Sequence, residues 1–137
     1  GDVYCDMKFP ALQSRWRNFV RKVLHKVYPV SYRKYIDFAC SSIEQHPTYV
    51  PCINPDFDHT PRSGVKALAL KGSSPILWGE LCRKASALIL KHHTPHNLLF
   101  IKAWNEWAEG NYLEPDRKWG TSYLDETRSA FTGMQSK

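Results

Sequence analysis

A chain of 137 residues with 42% hydrophobic, 23% charged and 13% aromatic side chains, seven Gly and nine Pro has the composition of one globular domain, which excludes a disordered or fibrous chain. Its longest apolar runs, such as Ala87 to Leu90 and Leu98 to Ile101, fall far short of the roughly 20 apolar residues that span a bilayer. The net charge of +6 resides in residues 1–34, where eight Lys/Arg stand against two Asp, while residues 35–137 carry eleven charges of each sign; no continuous track for phosphates follows, and no nucleic-acid partner is expected.

In chain order, the start Gly1-Asp2-Val3 has neither an initiator Met nor a basic-then-apolar leader, which reads as a fragment or a processed product. From Ala11 to Val27 apolar residues recur at Leu12, Trp16, Phe19/Val20, Val23/Leu24 and Val27, with basic residues on the remaining face. That spacing predicts an amphipathic helix, either packed on the domain with a solvated basic face or lying peripherally on an anionic membrane surface. Val27 to Val30 predicts a short strand, Ser31 an N-cap and Tyr32 to Gln45 a helix. Thr48 to Ile53 predicts a second strand, followed by a long polar loop over 54–74. Pro75 opens a helix to His92 with Ile76/Leu77, Leu81, Ala85 and Leu88/Ile89 on one face. Leu98 to Trp104, with few polar positions, reads as a parallel strand buried on both faces. After a polar loop over 105–120, Tyr123, Leu124, Arg128 and Phe131 predict a last helix, and residues 132–137 a tail.

Strand, loop and helix repeated about three times behind an N-terminal helix is an α/β pattern, and residues 1–131 read as one domain. The loops after strands are long and those after helices short, as in a (β/α)₈ barrel, whose loops after strands build the active site. A full barrel needs about 250 residues. The expectation is therefore the C-terminal portion of a barrel, with a small doubly wound sheet as the alternative. Cys5, Cys40, Cys52 and Cys82 contain no Cys-x-x-Cys pair, which predicts reduced, mostly buried thiols in a cytoplasmic protein. His92, His93 and His96 are interrupted by Thr94-Pro95 and read as a polar loop after a helix. No metal or other cofactor is expected.

Acidic and aromatic residues concentrate after the last strand. Glu106 and Glu109 are three apart, so a helical turn there places both on one side. Two carboxylates in proximity cannot easily both ionise, and aromatic walls raise the pKa of the less solvated one. One acid and one base would suit glycosidic chemistry. Three of the five Trp fall between 104 and 119, and Trp104, Trp107, Tyr112 and Trp119 offer flat surfaces on which a sugar ring can stack. The alternative is that the carboxylates cap a helix or pair with Arg117 and Lys118 while the tryptophans fill a core.

The string Ala103-Trp104-Asn105-Glu106-Trp107-Ala108-Glu109-Gly110-Asn111-Tyr112-Leu113-Glu114-Pro115-Asp116, with Gly120 and Tyr123-Leu124 beyond it, resembles the C-terminal signature of the WbsX family, which is related to glycoside hydrolase family 99, the endo-α-mannosidases. Asp58-His59-Thr60-Pro61-Arg62 resembles the family's Asp-Asn-Thr-Pro-Arg motif, with His59 in place of Asn. Asp56-Phe57-Asp58 also reads as Asp-x-Asp, a short pattern that holds a metal in some nucleotide-sugar transferases but is common by chance. The resemblance covers about residues 27–131 and implies a (β/α)₈ barrel acting on an oligosaccharide or other glycan. It implies Glu106 as the base at a sugar 2-hydroxyl and Glu109 as the acid/base at the glycosidic oxygen, with retention of configuration.

Candidate substrate-binding residues are Asn105, Trp104, Trp107, Tyr112, Glu114, Asp58, Arg62 and Tyr32. Arg62 has a planar fork suited to a carboxylate or a sugar hydroxyl, or to a surface ion pair. Tyr32 either looks onto the same face or packs as a helix residue. WbsX relatives are described as glycosyltransferases of bacterial cell-surface polysaccharide assembly, such as O-antigen or capsule. The expectation is thus an enzyme that makes or cleaves glycosidic bonds in the cytoplasm or at the membrane's inner face, the alternative being an incomplete barrel that only binds sugar.

Overall fold

The structure, a computed structural model, describes residues 3–4, 23, 27, 29–92 and 97–132. The predicted helix over 11–27 and the tail over 132–137 lie almost wholly outside these residues, as do His93 and His96. The first half of the described chain holds β1 (Val3–Tyr4), β2 (Val30–Ser31), helix α1 (Tyr32–Gln45), β3 (Val50–Ile53), the single turn α2 (Thr60–Ser63) and a 3₁₀ turn, Gly64–Lys66. Then follow β4 (Leu70–Lys71), α3 (Pro75–Lys91), β5 (Phe100–Ile101), β6 (Asn105–Glu106), a 3₁₀ turn Trp107–Glu109, β7 (Asn111–Tyr112) and α4 (Ser122–Thr132).

The chain is α/β, with small parallel and antiparallel sheets. Strands β1, β3 and β5 form a parallel sheet in chain order. Two expectations about these strands need correction. The sheet's first strand is Val3–Tyr4, upstream of the basic segment. The predicted strand at Val27 to Val30 contributes Val30, but Val30 pairs with Leu70 and Ser31 with Lys71, a strand inside the loop read as irregular. Each of these two-residue strands buries one side chain, Val30 or Leu70, and exposes the next. A pattern that short does not specify which partner it meets.

The run Leu98 to Trp104 is likewise shorter as a strand than expected and is not buried on both faces. Among the described residues β5 has one neighbour, β3, and Phe100 is 48% exposed. Only Phe100 and Ile101 have register partners, Cys52 and Ile53.

The helix bounds follow their sequence signals, although Ser31 stands at the N-cap of α1 without a side-chain hydrogen bond to it. Tyr32, Tyr35, Ile36, Ala39 and Ile43, spaced three and four apart, form the buried stripe of α1. At the start of α3 Ser74 Oγ accepts the Leu77 N–H, and Pro75 at the first position loses no helical hydrogen bond. Helix α3 packs against both α1 and α4, and Trp78, Leu81, Cys82 and Ala85 on it are fully enclosed. The Trp78 indole N–H donates to Thr127 Oγ1 on α4 at 2.8 Å, so even this large apolar anchor leaves no polar atom orphaned. Among the described residues Cys40 and Cys82 are free thiols, and burial pushes Cys82 up to about 12.

Ile53 at the end of β3 joins the core cluster of these helices, and the segments that follow β3 and β5 lead on from there. Replacing Leu81, fully buried on α3, with Ala should lower unfolding free energy by about 2–5 kcal/mol. The same change at Ile76, exposed on the same helix, should stay within about 0.5 kcal/mol. Urea midpoints of the two variants check the contrast.

Candidate active site

The site forms where the chain leaves β3 and β5. Beyond β5, Lys102 N–H still donates to the Ile53 carbonyl at 3.0 Å, extending the parallel register by one bond. The chain then makes a tight hairpin in which Asn105 opposes Tyr112 and Glu106 opposes Asn111. Its tip is the 3₁₀ turn, closed by a Gly110 N–H to Trp107 carbonyl bond of 3.0 Å. Gly110 sits at φ +59°, a left-handed conformation that side chains with a Cβ rarely adopt. A 3₁₀ turn has three residues per turn, so Glu106 at its N-terminal border and Glu109 at its end face the same way.

The segment after β3 meets this hairpin. Asp58 N–H donates to the Glu109 carbonyl at 2.7 Å, and Asp58 Oδ1 accepts the Thr60 N–H at 2.9 Å just before α2. From α2 the Arg62 guanidinium reaches both carboxylates, with Nη2 3.7 Å from Glu106 Oε1 and Nη1 3.6 Å from Glu109 Oε1. His59 Nδ1 lies 3.1 Å from the same Glu109 oxygen, and Lys102 Nζ lies 3.4 Å from Glu109 Oε2. Three basic side chains from two loops therefore surround one carboxylate whose side chain is only 10% exposed.

This arrangement corrects the expected electrostatics. Burial pushes the Glu109 pKa up, but the Lys102 ammonium and its hydrogen bond, then Arg62 and His59, outweigh it and hold the carboxyl below its usual 4.5. The walls nearest Glu109 are cationic rather than aromatic, so the environment favours the carboxylate. Arg117 and Lys118 are not its partners: Lys118 lies over the Trp119 ring at 4.6 Å, and its N–H donates to Asp116 Oδ1.

The aromatic residues flank the carboxylates. Trp107 stacks on Tyr112 with centroids 3.7 Å apart and donates its indole N–H to Glu114 Oε2 at 2.6 Å, which orients the ring. Trp104 and Trp107 remain 53% and 48% exposed. Tyr112 in turn donates its hydroxyl to Asp116 Oδ2 at 2.9 Å, and burial followed by that bond pushes the phenol up to about 12. Asn105 is exposed on β6, whereas Trp119 sits edge-on to Tyr123 of α4.

Tyr32 is not brought to this cluster. It is 1% exposed in the core, and its hydroxyl donates to the Asn54 carbonyl at 2.7 Å. The two Asp-x-Asp carboxylates each accept a backbone N–H, Asp56 from Phe57 and Asp58 from Thr60. Among the described residues no three His, Cys, Asp or Glu side chains converge as a metal site.

Sequence reasoning passed over Lys102 and the buried pair Asn54 and Asn111. Lys102 was detectable as the lone charge inside the apolar run 98–104. Asn111 carries no such signal: fully buried, it donates Nδ2 to Asn54 Oδ1 at 3.2 Å, and Asn54 donates its N–H and Nδ2 to Tyr35 Oη at 2.9 and 3.0 Å. The network ties the hairpin to the end of β3 and to α1.

Residues 5–127 match the model of the family described as Glycosyltransferase WbsX. The chain belongs to this family. It is 39% identical over 95 residues to an uncharacterized protein, WxcX, found in two strains of Xanthomonas campestris pv. campestris. The match takes in 66% of this chain and 14% of each relative, so the chain spans a small part of those proteins. No solved structure matches it.

A depressed carboxyl pKa stabilises the fold above its unfolded value, and that stability is lost as pH falls through the folded value. Lys102→Met removes the strongest of the opposing cations at Glu109. The Glu109 titration should move upward and the acid loss of stability become shallower. A ¹³C-carboxyl NMR titration with urea midpoints across the acid range checks both.

Proposed function

We propose that this chain is the site-bearing C-terminal portion of a (β/α)₈ barrel that makes or cleaves glycosidic bonds in cell-surface polysaccharide metabolism. The observation that carries the reading is the Arg62 bridge, which holds Glu106 and Glu109 on one guanidinium at 3.7 and 3.6 Å beside two exposed tryptophans. Such a pairing gives a sugar two oxygen bases on one side and flat apolar surface beside them. The parallel order β1, β3, β5 runs without reversal along the chain, although β2 and β4 pair with each other outside this sheet, and it supports a barrel, where strands are wound in sequence, over a doubly wound sheet, where the order reverses. Family membership supports a glycan as the substrate class.

The proposed chemistry follows the resemblance to glycoside hydrolase family 99. Glu106 takes the proton of the sugar 2-hydroxyl, whose oxygen attacks the anomeric carbon, while Glu109 gives a proton to the departing glycosidic oxygen. Water or a sugar hydroxyl then attacks the same carbon. It yields its proton to Glu109, and Glu106 returns its own proton to the 2-oxygen. Two displacements at one carbon retain configuration. Whether the outcome is hydrolysis or transfer depends only on which hydroxyl reaches the carbon. Arg62 keeps the two carboxylates in register, and Trp104, Trp107 and Tyr112, with Asn105, Asp58 and Glu114 at the margins, form the sugar surface. No helix of the described residues is long and apolar enough to cross a membrane; contact with the membrane's inner face is assigned in this proposal to the basic segment 11–27.

In the protein that carries this chain, Glu109→Gln should lower turnover at least about 10²-fold while leaving glycan binding nearly unchanged. Steady-state kinetics beside calorimetric binding checks this, and undiminished turnover overturns the assignment. Products formed in ¹⁸O-labelled water separate the two outcomes: label at a new reducing end marks hydrolysis, and an unlabelled extended glycan marks transfer.

A further inference from the structure

The cations around Glu109 pose a problem for the role proposed above. A carboxyl held below its usual range by Lys102 and Arg62 has no proton to give near neutral pH, yet protonating a leaving oxygen requires one. Of the three basic neighbours, only one can pass a proton in that range. A guanidinium does not give up its proton in proteins and an ammonium releases one only at high pH, whereas an imidazole is the side chain that exchanges a proton near neutrality.

His59 is placed for that exchange. Its N–H donates to the Leu68 carbonyl at 3.0 Å, and its own carbonyl accepts from Arg62 and Ser63 at 3.2 and 3.0 Å, so the backbone is tied on both sides. The ring lies parallel to Phe57, interplanar angle 5° and centroids 6.0 Å apart. Its Nδ1 is 3.1 Å from Glu109 Oε1. The imidazole is 32% exposed, so it can exchange protons with solvent where the more enclosed Glu109 side chain, at 10%, is shielded. The charged groups that face this pair are Arg62 on α2, Lys102 beyond β5 and Glu106 on β6, reached through Arg62.

Resting on the glycosidic reading of the same site, we propose that His59 is a positioning residue that shares one proton with Glu109 and thereby sets when Glu109 can act as an acid. With the proton on Nδ1 the pair is imidazolium and carboxylate. When the Nδ1–H bond breaks and an O–H bond forms at Glu109 Oε1, the pair becomes imidazole and carboxylic acid, with the total charge unchanged. The second arrangement is the one that can protonate a leaving oxygen. After that proton leaves, Glu109 is again a carboxylate and His59 a neutral imidazole, which is recharged by the proton of the attacking hydroxyl or by solvent. The pair therefore titrates as a unit, its proton belonging to both groups.

The test observes the pair directly, so its result does not depend on turnover. In ¹⁵N-imidazole and ¹³C-carboxyl NMR titrations of the protein, the Glu109 carboxyl signal should show a second step that coincides with the titration of His59. His59→Asn, which keeps a donor near the carboxylate but cannot titrate, should abolish that step. Glu109→Gln should lower the His59 midpoint by about one pH unit, because it removes the anion that stabilises the imidazolium. A His59 midpoint unmoved by Glu109→Gln, or a Glu109 signal with no response in the imidazole range, overturns the proposal.

In kinetics, His59→Asn should move the basic limb of kcat/KM to lower pH by about two units, since the limb then follows a carboxyl alone. A uniform loss at every pH with an unmoved limb would mark a merely structural role and overturn the proposal. His59→Gln serves as the second variant should Asn disturb α2. Coupled NMR steps in a protein without glycan turnover would uphold the shared proton and defeat only the glycosidic reading.

Discussion

A backbone hydrogen bond of 2.7 Å from Asp58 N–H to the Glu109 carbonyl joins two loops that leave neighbouring parallel strands. The contacts of His59 and Arg62 with Glu109 cross that junction. His59 and Arg62 come from the loop after β3, Glu106, Glu109 and Lys102 from the chain after β5, and about fifty residues of sequence separate the two groups. A second tie runs through the core, from Asn111 to Asn54 to Tyr35, and reaches α1. A bond between backbone atoms is indifferent to side-chain identity, so it fixes where the loops meet. The side chains then decide what that meeting does.

What they do is concentrate opposite charges in a partly dry space. Two carboxylates side by side would repel each other and drive one to take up a proton. Interposing a guanidinium that touches both, with an ammonium and an imidazole on the more buried one, reverses the balance toward ionisation. Such a cluster is well suited to holding groups in position, since each long side chain is restrained by a partner of opposite sign. The exposed Trp107, braced by Tyr112 beneath it and Glu114 at its indole, adds an apolar surface whose orientation is set before any ligand arrives. Charge and stacking surface thus come from the loops, apart from the packed seam of α3 with α1 and α4.

The helices were legible because a helix advertises itself locally. Tyr32 to Gln45 was readable from its own spacing, and Pro75 behind Ser74 marked the start of α3 through capping chemistry that involves only adjacent residues. The strands were less legible. Val3–Tyr4, Val30–Ser31 and Leu70–Lys71 carry two residues each, too few for an alternation. In the site, the paired glutamates, Arg62 and the tryptophans stood out by residue type. Lys102 was hidden inside an apolar run, Asn54 and Asn111 carry no mark that separates a buried amide from an exposed one, and Tyr32 looked equally suited to the core and the ligand face until its burial decided the matter.

The sequence by itself determined the α/β class, the extents of α1 and α3, and the family, since each rests on residue identity and on spacing within one segment. It also set Glu106 and Glu109 three residues apart, where a single turn brings them to one side. Only the tertiary structure decided which charges those carboxylates meet. Hydrogen bonds and close ion pairs need contact within a few ångströms, so the 3.1–3.7 Å approaches of His59 and Arg62 depend on how two remote loops dock. That is why the expected acid in an aromatic pocket became a carboxylate among cations.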